Sequence, residues 1–167
     1  PFFYVKVGDN WTIQMKDGFL AHIKEKIGKY YTNCITDCKI IKRKKLYGFD
    51  NGKEHKFIKF EFTNMSSFNK TKNLWYSSYD DGYNLLKHGY NFYQTDTKIY
   101  ESNIPPLLRF FHIKEISPSG WIGLPKKKTL EIKGEINKKS NCNFEYEISY
   151  KNIIALNDME SRVPYKI

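Results

Sequence analysis

The sequence has few of the residues that build disulfide scaffolds and metal sites. It contains three cysteines, Cys34, Cys38 and Cys142, and no CxxC pair. An odd cysteine count without that spacing argues against both a disulfide framework and a zinc site. The four histidines have no metal-ligand spacing either. Cys34 and Cys38 are therefore expected to be reduced strand residues in a reducing compartment.

Catalytic motifs are also missing. There is no Gly-rich phosphate loop and no nucleophile elbow. The only adjacent acidic pair, Asp80-Asp81, precedes Gly82, a pattern more typical of a solvated turn than of a metal site. We therefore predict no catalytic residue, no metal site and no bound cofactor within these residues.

The sequence also lacks targeting and membrane signals. No apolar run is long enough to span a membrane, and there is no secretory signal peptide, so we predict neither membrane binding nor secretion. The first residue is Pro1 rather than Met, and residues 163–167 resemble the beginning of an apolar strand. We expect the chain to be part of a longer protein.

Positive charge and aromatic residues are abundant. Lysine and arginine number 28 against 18 acidic residues, which gives a net charge of +10, and 17% of the 167 residues are aromatic. The aromatic content predicts a folded chain of one medium domain or two small ones. The charge favours an anionic partner, with nucleic acid first and an anionic membrane surface second. Alternatively, it reflects a lysine-rich proteome and only keeps the protein soluble.

The first hundred residues follow the order strand, helix, strand, strand, helix, strand. Asp17 is the expected N-cap of the first helix, Ser66 or Ser67 that of the second, and Asn51-Gly52 predicts a hairpin turn. The expected elements are a strand over 2–7, a helix from residue 17 to about residue 28 or 31, strands over 34–47 and 55–62, a helix over 66–75 and a weak strand at 99–100. This βαββαβ order is that of a ferredoxin-like unit.

The remaining residues predict a short helix and an antiparallel β region. Pro105 and Pro106 suit a first helical turn, and Pro118 and Gly120 are expected to stop the helix. Its apolar face should consist of Leu107, Leu108 and Phe111. Alternating strands over 121–124, 129–136 and 142–150 predict an antiparallel β meander or partial barrel with one wet face. The predicted fold class is therefore α+β.

One strand carries a cluster of basic residues. The candidate nucleic-acid-binding residues are Lys39, Lys42, Arg43, Lys44 and Lys45. On a strand, Arg43 and Lys45 would project to one face and Lys42 and Lys44 to the other. Such a run can neutralise phosphates without reading bases. An equally supported alternative is a charged edge strand that prevents aggregation.

Aromatic residues on two predicted strands are similar to those of an RNA-recognition sheet, in which exposed rings stack on bases. The rings in question are Phe2, Phe3, Tyr4, Phe57, Phe60 and Phe62. The third strand, KFIKFEF, lacks the glycines of that motif. Most of these rings are therefore expected in the core.

Several segments together resemble family B (alpha-like) DNA polymerases, especially those of large DNA viruses and the eukaryotic delta type. The chain is similar to the family at PFFYVKV, KRKKLYGF, FIKFEF and YESNIPPLLRFF, and at Gly120-Trp121-Ile122 after the Leu-Arg-Phe helix. VPYKI at the far end resembles the lead into the first exonuclease motif. Each piece is moderately specific, and their order and spacing make the resemblance strong.

The resemblance implies an amino-terminal region with three parts: residues 1–103 as a ferredoxin-like, RRM-like part, 104–160 as helix plus antiparallel β, and 161–167 as the lead-in to a 3′–5′ exonuclease domain. It also implies a non-catalytic piece of a replicative, proofreading DNA-directed DNA polymerase, a nucleotidyltransferase. This piece would brace the enzyme and bind single-stranded template. Mg²⁺ and deoxynucleoside triphosphates would serve the whole enzyme, not these residues.

The partners that the resemblance implies are template and primer-template DNA, the exonuclease and polymerase domains of the same chain, and a sliding clamp. The implied location is the nucleus or a viral replication compartment. Two other hypotheses remain open at this point: a stand-alone RRM-like RNA-binding module, and a structural domain whose basic face is only solvated.

Overall fold

The structure is a computed structural model that describes residues 1–45, 50–77 and 84–157. The chain divides into two compact units, Pro1–Asn103 and the part from Ile104 onward. The first unit contains β1 (Phe2–Lys6), α1 (Ile13–Ile27), α2 (Lys29–Thr32), β2 (Ile35–Lys44), β3 (Glu54–Phe62), α3 (Met65–Lys72), β4 (Tyr76–Ser77), β5 (Asn84–Leu85), β6 (Tyr90–Phe92) and β7 (Thr95–Tyr100). The second contains α4 (Pro106–Lys114), β8 (Trp121–Gly123), β9 (Thr129–Glu131), β10 (Tyr146–Ile148) and β11 (Ile154–Leu156).

A five-stranded antiparallel sheet organises the first unit. Its strand order is β2-β3-β1-β7-β6, so β1 lies in the middle and β2 at one edge. Both longer helices, α1 and α3, pack their buried residues against one face of this sheet. The α+β class with antiparallel sheets is therefore confirmed.

The core between the sheet and the helices is mainly aromatic. Phe3 is completely buried, and its ring centroid lies 5.2–5.9 Å from those of Phe60, Phe62, Phe68 and Trp75. Most of these pairs are tilted or edge-on, the arrangements that aromatic quadrupoles favour. Strand periodicity brings this about, because alternate residues of a strand point to the same face.

The helix starts differ from those predicted. The predicted cap Asp17 is wrong, because Thr12 caps α1: its hydroxyl oxygen accepts a hydrogen bond from the Met15 N–H at 3.3 Å. Asp17 forms an ion pair with Lys16 instead. The predicted serine caps of α3 are also wrong, because the Asn64 side chain accepts the Ser67 N–H at 2.9 Å. Both true caps are short polar side chains in extended backbone, directly before the first residue of the helix.

The predicted hairpin joins β2 and β3. Asn51 and Gly52 have φ values of 55° and 70°, as expected for an Asn-Gly turn. The described part of the first strand ends at Lys44, and residues 46–49 of the predicted strand and turn lie outside the described residues. The second strand follows the prediction, with Ile58, Phe60 and Phe62 facing the core.

The helix of the second unit, α4, ends at Lys114, before Pro118 and Gly120, which were expected to stop it. Glu115 adopts the left-handed conformation at φ 54°, and the Ile116 N–H donates to the Phe111 carbonyl at 2.9 Å. This is a left-handed C-terminal cap, so the helix stops before the proline. Leu107 and Leu108, which were predicted to form an apolar face, are 61% and 54% exposed.

The predicted meander over 121–124, 129–136 and 142–150 is only partly present. Among the described residues of the second unit, β8 pairs with β11 and β9 pairs with β10, as two separate two-stranded sheets rather than a partial barrel. Gly134, at φ 84°, and a single 3₁₀ turn interrupt the first long strand. The predicted strand over 142–150 is shortened to β10. The Glu145 carboxylate accepts hydrogen bonds from the Lys139 and Ser140 N–H groups and so closes a loop before it.

Gly89 provides a test of the sheet's packing. Its φ is 81°, and a Cβ built on it would lie 2.0 Å from the backbone oxygen of Thr97. Gly89→Ala is therefore expected to lower the free energy of unfolding by more than about 2 kcal/mol. The matched control is Gly18→Ala in α1, where a Cβ has no neighbour within 4 Å. The control should be neutral or stabilising by up to about 1 kcal/mol, since alanine favours helix. Urea unfolding followed by tryptophan fluorescence measures both, and equal stabilities would contradict the described turn.

The cysteines are expected to differ in reactivity. Cys38 lies on the core side of β2, and burial raises the pKa of its thiol to about 12. Cys142 is exposed. Because the thiolate is the reactive form, alkylation of Cys38 at pH 8 should be on the order of a hundredfold or more slower than that of Cys142. Peptide mass spectrometry after timed iodoacetamide treatment measures this, and equal rates would contradict the burial of Cys38.

Candidate nucleic-acid interface

The predicted basic residues lie on or directly after the edge strand β2. The register sets Lys39 opposite Lys59 and Arg43 opposite His55, on the sheet face away from the helices. Lys42 and Lys44 alternate with them and project to the helix side. The five residues therefore share one strand end but do not form one surface.

Two of the five residues have acidic partners. The Nζ of Lys39 lies 2.9 Å from Asp37, and this hydrogen bond raises the pKa of Lys39 and lowers that of Asp37. The Nζ of Lys45 lies 3.9 Å from Asp50. Lys42, Arg43 and Lys44 are exposed and have no ion pair with the described residues. These three carry the uncompensated charge of the strand.

The sheet face opposite α1 and α3 has its own pattern and is called here the open face. One row across four neighbouring strands reads Lys39, Lys59, Tyr4 and Tyr100. The adjacent row reads Ile41, Phe57, Lys6 and Lys98. In each row, two neighbouring residues are lysines, and the other two are aromatic or aliphatic.

The rings of the open face support one another by edge contacts. The Tyr100 ring packs edge-on against the buried Phe57 at 5.5 Å, and Phe2 and Tyr4 make a similar pair at 5.6 Å. The Nζ of Lys59 lies 4.4 Å from the centre of the Phe2 ring. Phe2, Tyr4 and Tyr100 are half-buried, so each keeps part of its ring accessible.

A lysine cluster lies at one end of the open face. Lys6 pairs with Lys98 across β1 and β7. Burial is the largest of the causes that lower the pKa of Lys6. The charge of Lys45, a hydrogen bond to Lys45 and the charge of Lys98 lower this pKa further, whereas the charge of Asp9 raises it. Ammonium groups that repel one another favour an anion between them, since it would reduce their repulsion.

The sequence analysis missed several residues of the open face. It named Tyr4 and Phe57 but expected most such rings in the core, and it did not include Lys6, Lys59 or Lys98 among the candidate nucleic-acid-binding residues. The available signal was the two-residue period of FFYVKV and FIKFEF, which separates Phe3, Phe60 and Phe62 from the outward residues. The partner strand at residue 100 was too weakly predicted to bring Tyr100 into the argument.

The described residues, 1–45, 50–77 and 84–157, contain neither a metal-binding cluster nor a membrane-spanning helix. Within these ranges no group of three or more His, Cys, Asp or Glu side chains could hold a metal ion. No helix in the same ranges is long and apolar enough to cross a bilayer. The Asp80-Asp81 turn and residues 163–167 lie outside the described residues.

Comparison with known sequences identifies the protein family of this chain. Residues 97–167 match the sequence model described as DNA polymerase family B, exonuclease domain. The DNA polymerase of Phaeocystis pouchetii virus is 44% identical over 171 aligned positions, which cover 100% of this chain. The chain belongs to the family B DNA polymerases. This confirms the resemblance found in the sequence.

Other relatives agree with this family. The DNA polymerase of Acanthamoeba polyphaga mimivirus is 25% identical over 100% of the chain. The DNA polymerase delta catalytic subunit of Schizosaccharomyces pombe is 29% identical over 93% of it. The chain spans 16%, 10% and 13% of the lengths of these three relatives, respectively.

Proposed function

We propose that this chain is the non-catalytic amino-terminal part of a replicative DNA-directed DNA polymerase with 3′–5′ proofreading. The observation that carries the proposal is the 44% identity to a viral DNA polymerase along the whole chain. The chain braces the exonuclease and polymerase domains of the same protein and binds single-stranded template. Its strands and helices supply the frame, and its basic surface supplies the DNA contact.

The chemistry of the whole enzyme belongs to other residues. Mg²⁺ and deoxynucleoside triphosphates serve nucleotidyl transfer, in which two metal ions clamp the transferred phosphoryl group. Primer-template DNA is the substrate, and a sliding clamp is a further partner. The enzyme works in the nucleus or in a viral replication compartment.

We further propose that the first unit is ferredoxin-like, with domain limits at 1–103, 104–160 and 161–167. The spatial order β2-β3-β1-β7 supports this, because a ferredoxin-like sheet sets its first and third strands in the middle. The helices α1 and α3 on one face agree with the same architecture. The short strands β4, β5 and β6 are then insertions before the last strand.

The template contact is assigned to the basic strand Lys39, Lys42, Arg43, Lys44 and Lys45. An edge strand can approach a phosphate backbone without obstruction from a neighbouring strand. Its exposed lysines and arginine form charge-assisted hydrogen bonds to phosphate oxygens, which position DNA without reading its sequence. The predicted binding is weak, salt-sensitive and independent of base sequence.

A stand-alone RRM-like RNA-binding module is the second candidate. The outward, partly exposed rings Phe2 and Tyr4 favour it, since such modules stack bases on rings of their first and third strands; on the third strand the outward ring Phe57 is buried. Phe60 and Phe62 are buried on the opposite face and are unavailable for that role. Equal or tighter binding of oligo(U) than of oligo(dT) would favour this candidate.

The template contact is tested by removing the uncompensated charges. In Lys42→Ala/Arg43→Ala/Lys44→Ala, affinity for a fluorescent oligo(dT) should fall at least about tenfold at 50 mM salt. Because each lost phosphate contact on a single strand reduces the slope of log affinity against log salt by about 0.7, the slope should fall by about 2. Fluorescence anisotropy at several salt concentrations measures both quantities.

The matched control removes the same charge from another basic run. Lys126→Ala/Lys127→Ala/Lys128→Ala alters a 3₁₀ turn of the second unit. This variant should lose only the general electrostatic part of the affinity, and its slope should stay near that of the unsubstituted chain. If the two triple variants bind equally, the basic strand is a solvated edge and the assignment is wrong.

A further inference from the structure

We propose that the open face of the first unit is a stacking surface on which single-stranded DNA lays its bases on Tyr4 and Tyr100, while Lys6, Lys59 and Lys98 hold the adjoining phosphates. This inference rests on the proposed template binding and extends it from the edge strand to the sheet face. The occupant is unpaired DNA.

The geometry of the strands brings the required groups together. Tyr4 and Tyr100 are direct cross-strand neighbours on β1 and β7, so their rings are adjacent on one face. Neighbouring strands lie about 4.8 Å apart, and residues two apart along a strand about 6.8 Å. Lys59 lies beside Tyr4 in the same row, and Lys6 and Lys98 lie one row away.

The two tyrosines suit stacking better than the other rings of this face. Phe57 is 5% exposed and supports Tyr100 from the side. Phe2 contacts Tyr4 edge-on and lies below the ammonium of Lys59. These contacts hold the rings of Tyr4 and Tyr100 while leaving both residues partly exposed. Rings fixed in this way lose little conformational freedom when a base stacks on them.

The charge of the open face complements a phosphate backbone. Lys6, Lys59 and Lys98 surround the tyrosine pair, and Lys39 and Arg43 extend the positive surface to the edge. The face also carries Asp37, Glu61 and Asp96; the first two form ion pairs with Lys39 and Lys59, and Asp96 accepts a hydrogen bond from Asn91. The repulsion among Lys6, Lys45 and Lys98 gives an anion a favourable position at one end.

Unpaired DNA is the occupant that fits both features. Stacking on a protein ring requires a base that has left the duplex stack, whereas phosphates alone would be recognised equally in duplex and single strand. A surface with lysines only would favour any polyanion. The combination of adjacent rings with flanking lysines therefore selects single strands.

The test separates base stacking from phosphate contact. In Tyr4→Leu/Tyr100→Leu, affinity for oligo(dT) should fall about tenfold or more, as expected for two lost stacked bases. Affinity for an abasic oligonucleotide of the same length should not change, and neither should the salt slope. The control Tyr30→Leu/Tyr93→Leu alters tyrosines that are 84% and 82% exposed elsewhere in this unit and should bind as the unsubstituted chain does. The variant Tyr4→Phe/Tyr100→Phe keeps both rings, so its affinity for oligo(dT) should stay near that of the unsubstituted chain.

Two results would overturn the inference. One is equal oligo(dT) affinity of the leucine double variant and its control; the other is an equal loss for the abasic oligonucleotide. If the basic-strand triple variant still loses affinity and slope, the proposed template binding stands while the stacking surface is rejected. If neither variant differs from its control, both proposals fail.

If circular dichroism shows that the leucine double variant does not fold, photocrosslinking of the unsubstituted chain tests the inference instead. The unsubstituted chain is irradiated with an oligo(dT) that carries 5-iododeoxyuridine, and the crosslinked peptides are identified by mass spectrometry. Crosslinks to Tyr4 or Tyr100 are expected. Crosslinks confined to other residues would overturn the inference.

Discussion

The burial of Phe3 in β1 is the contact on which the first unit depends. Its ring touches Phe60 and Phe62 on the neighbouring strand, Phe68 of α3 and Trp75. One side chain thus joins two strands of the sheet to the helical layer. Removal of such a ring from a packed core costs about 3–5 kcal/mol, a large part of the stability of a small domain.

The same constraint creates the open face. Because β1 has a two-residue period, fixing Phe3 and Val5 in the core forces Tyr4 and Lys6 to the opposite face. A shift of one residue would bury the lysine and expose the phenylalanine. The strand that anchors the hydrophobic core is therefore also the middle strand of the basic, aromatic open face, so the proposed DNA contact and the stability of the unit depend on one strand register.

In the first unit, the alternation of inward and outward residues along the strands was informative. It predicted β1 and β3, the positive-φ turn at Asn51-Gly52 and the inward side of Phe60. It failed at helix starts, where several polar residues compete to cap the first turn, and in the second unit. There Gly134 and the loop closed by Glu145 overrode the alternation. The basic strand was visible as a charge run, but the open face depends on cross-strand register, which a single sequence does not contain.

We propose that the first unit binds single-stranded DNA through its basic edge and its open face. Two-dimensional NMR of the ¹⁵N-labelled chain, titrated with oligo(dT), tests it most directly. Amide signals in β1, β2, β3 and β7 should shift, centred on Tyr4, Arg43 and Lys98, while those of the helices α1 and α3 stay nearly unchanged. No shifts, or shifts confined to residues 104–157, would contradict it.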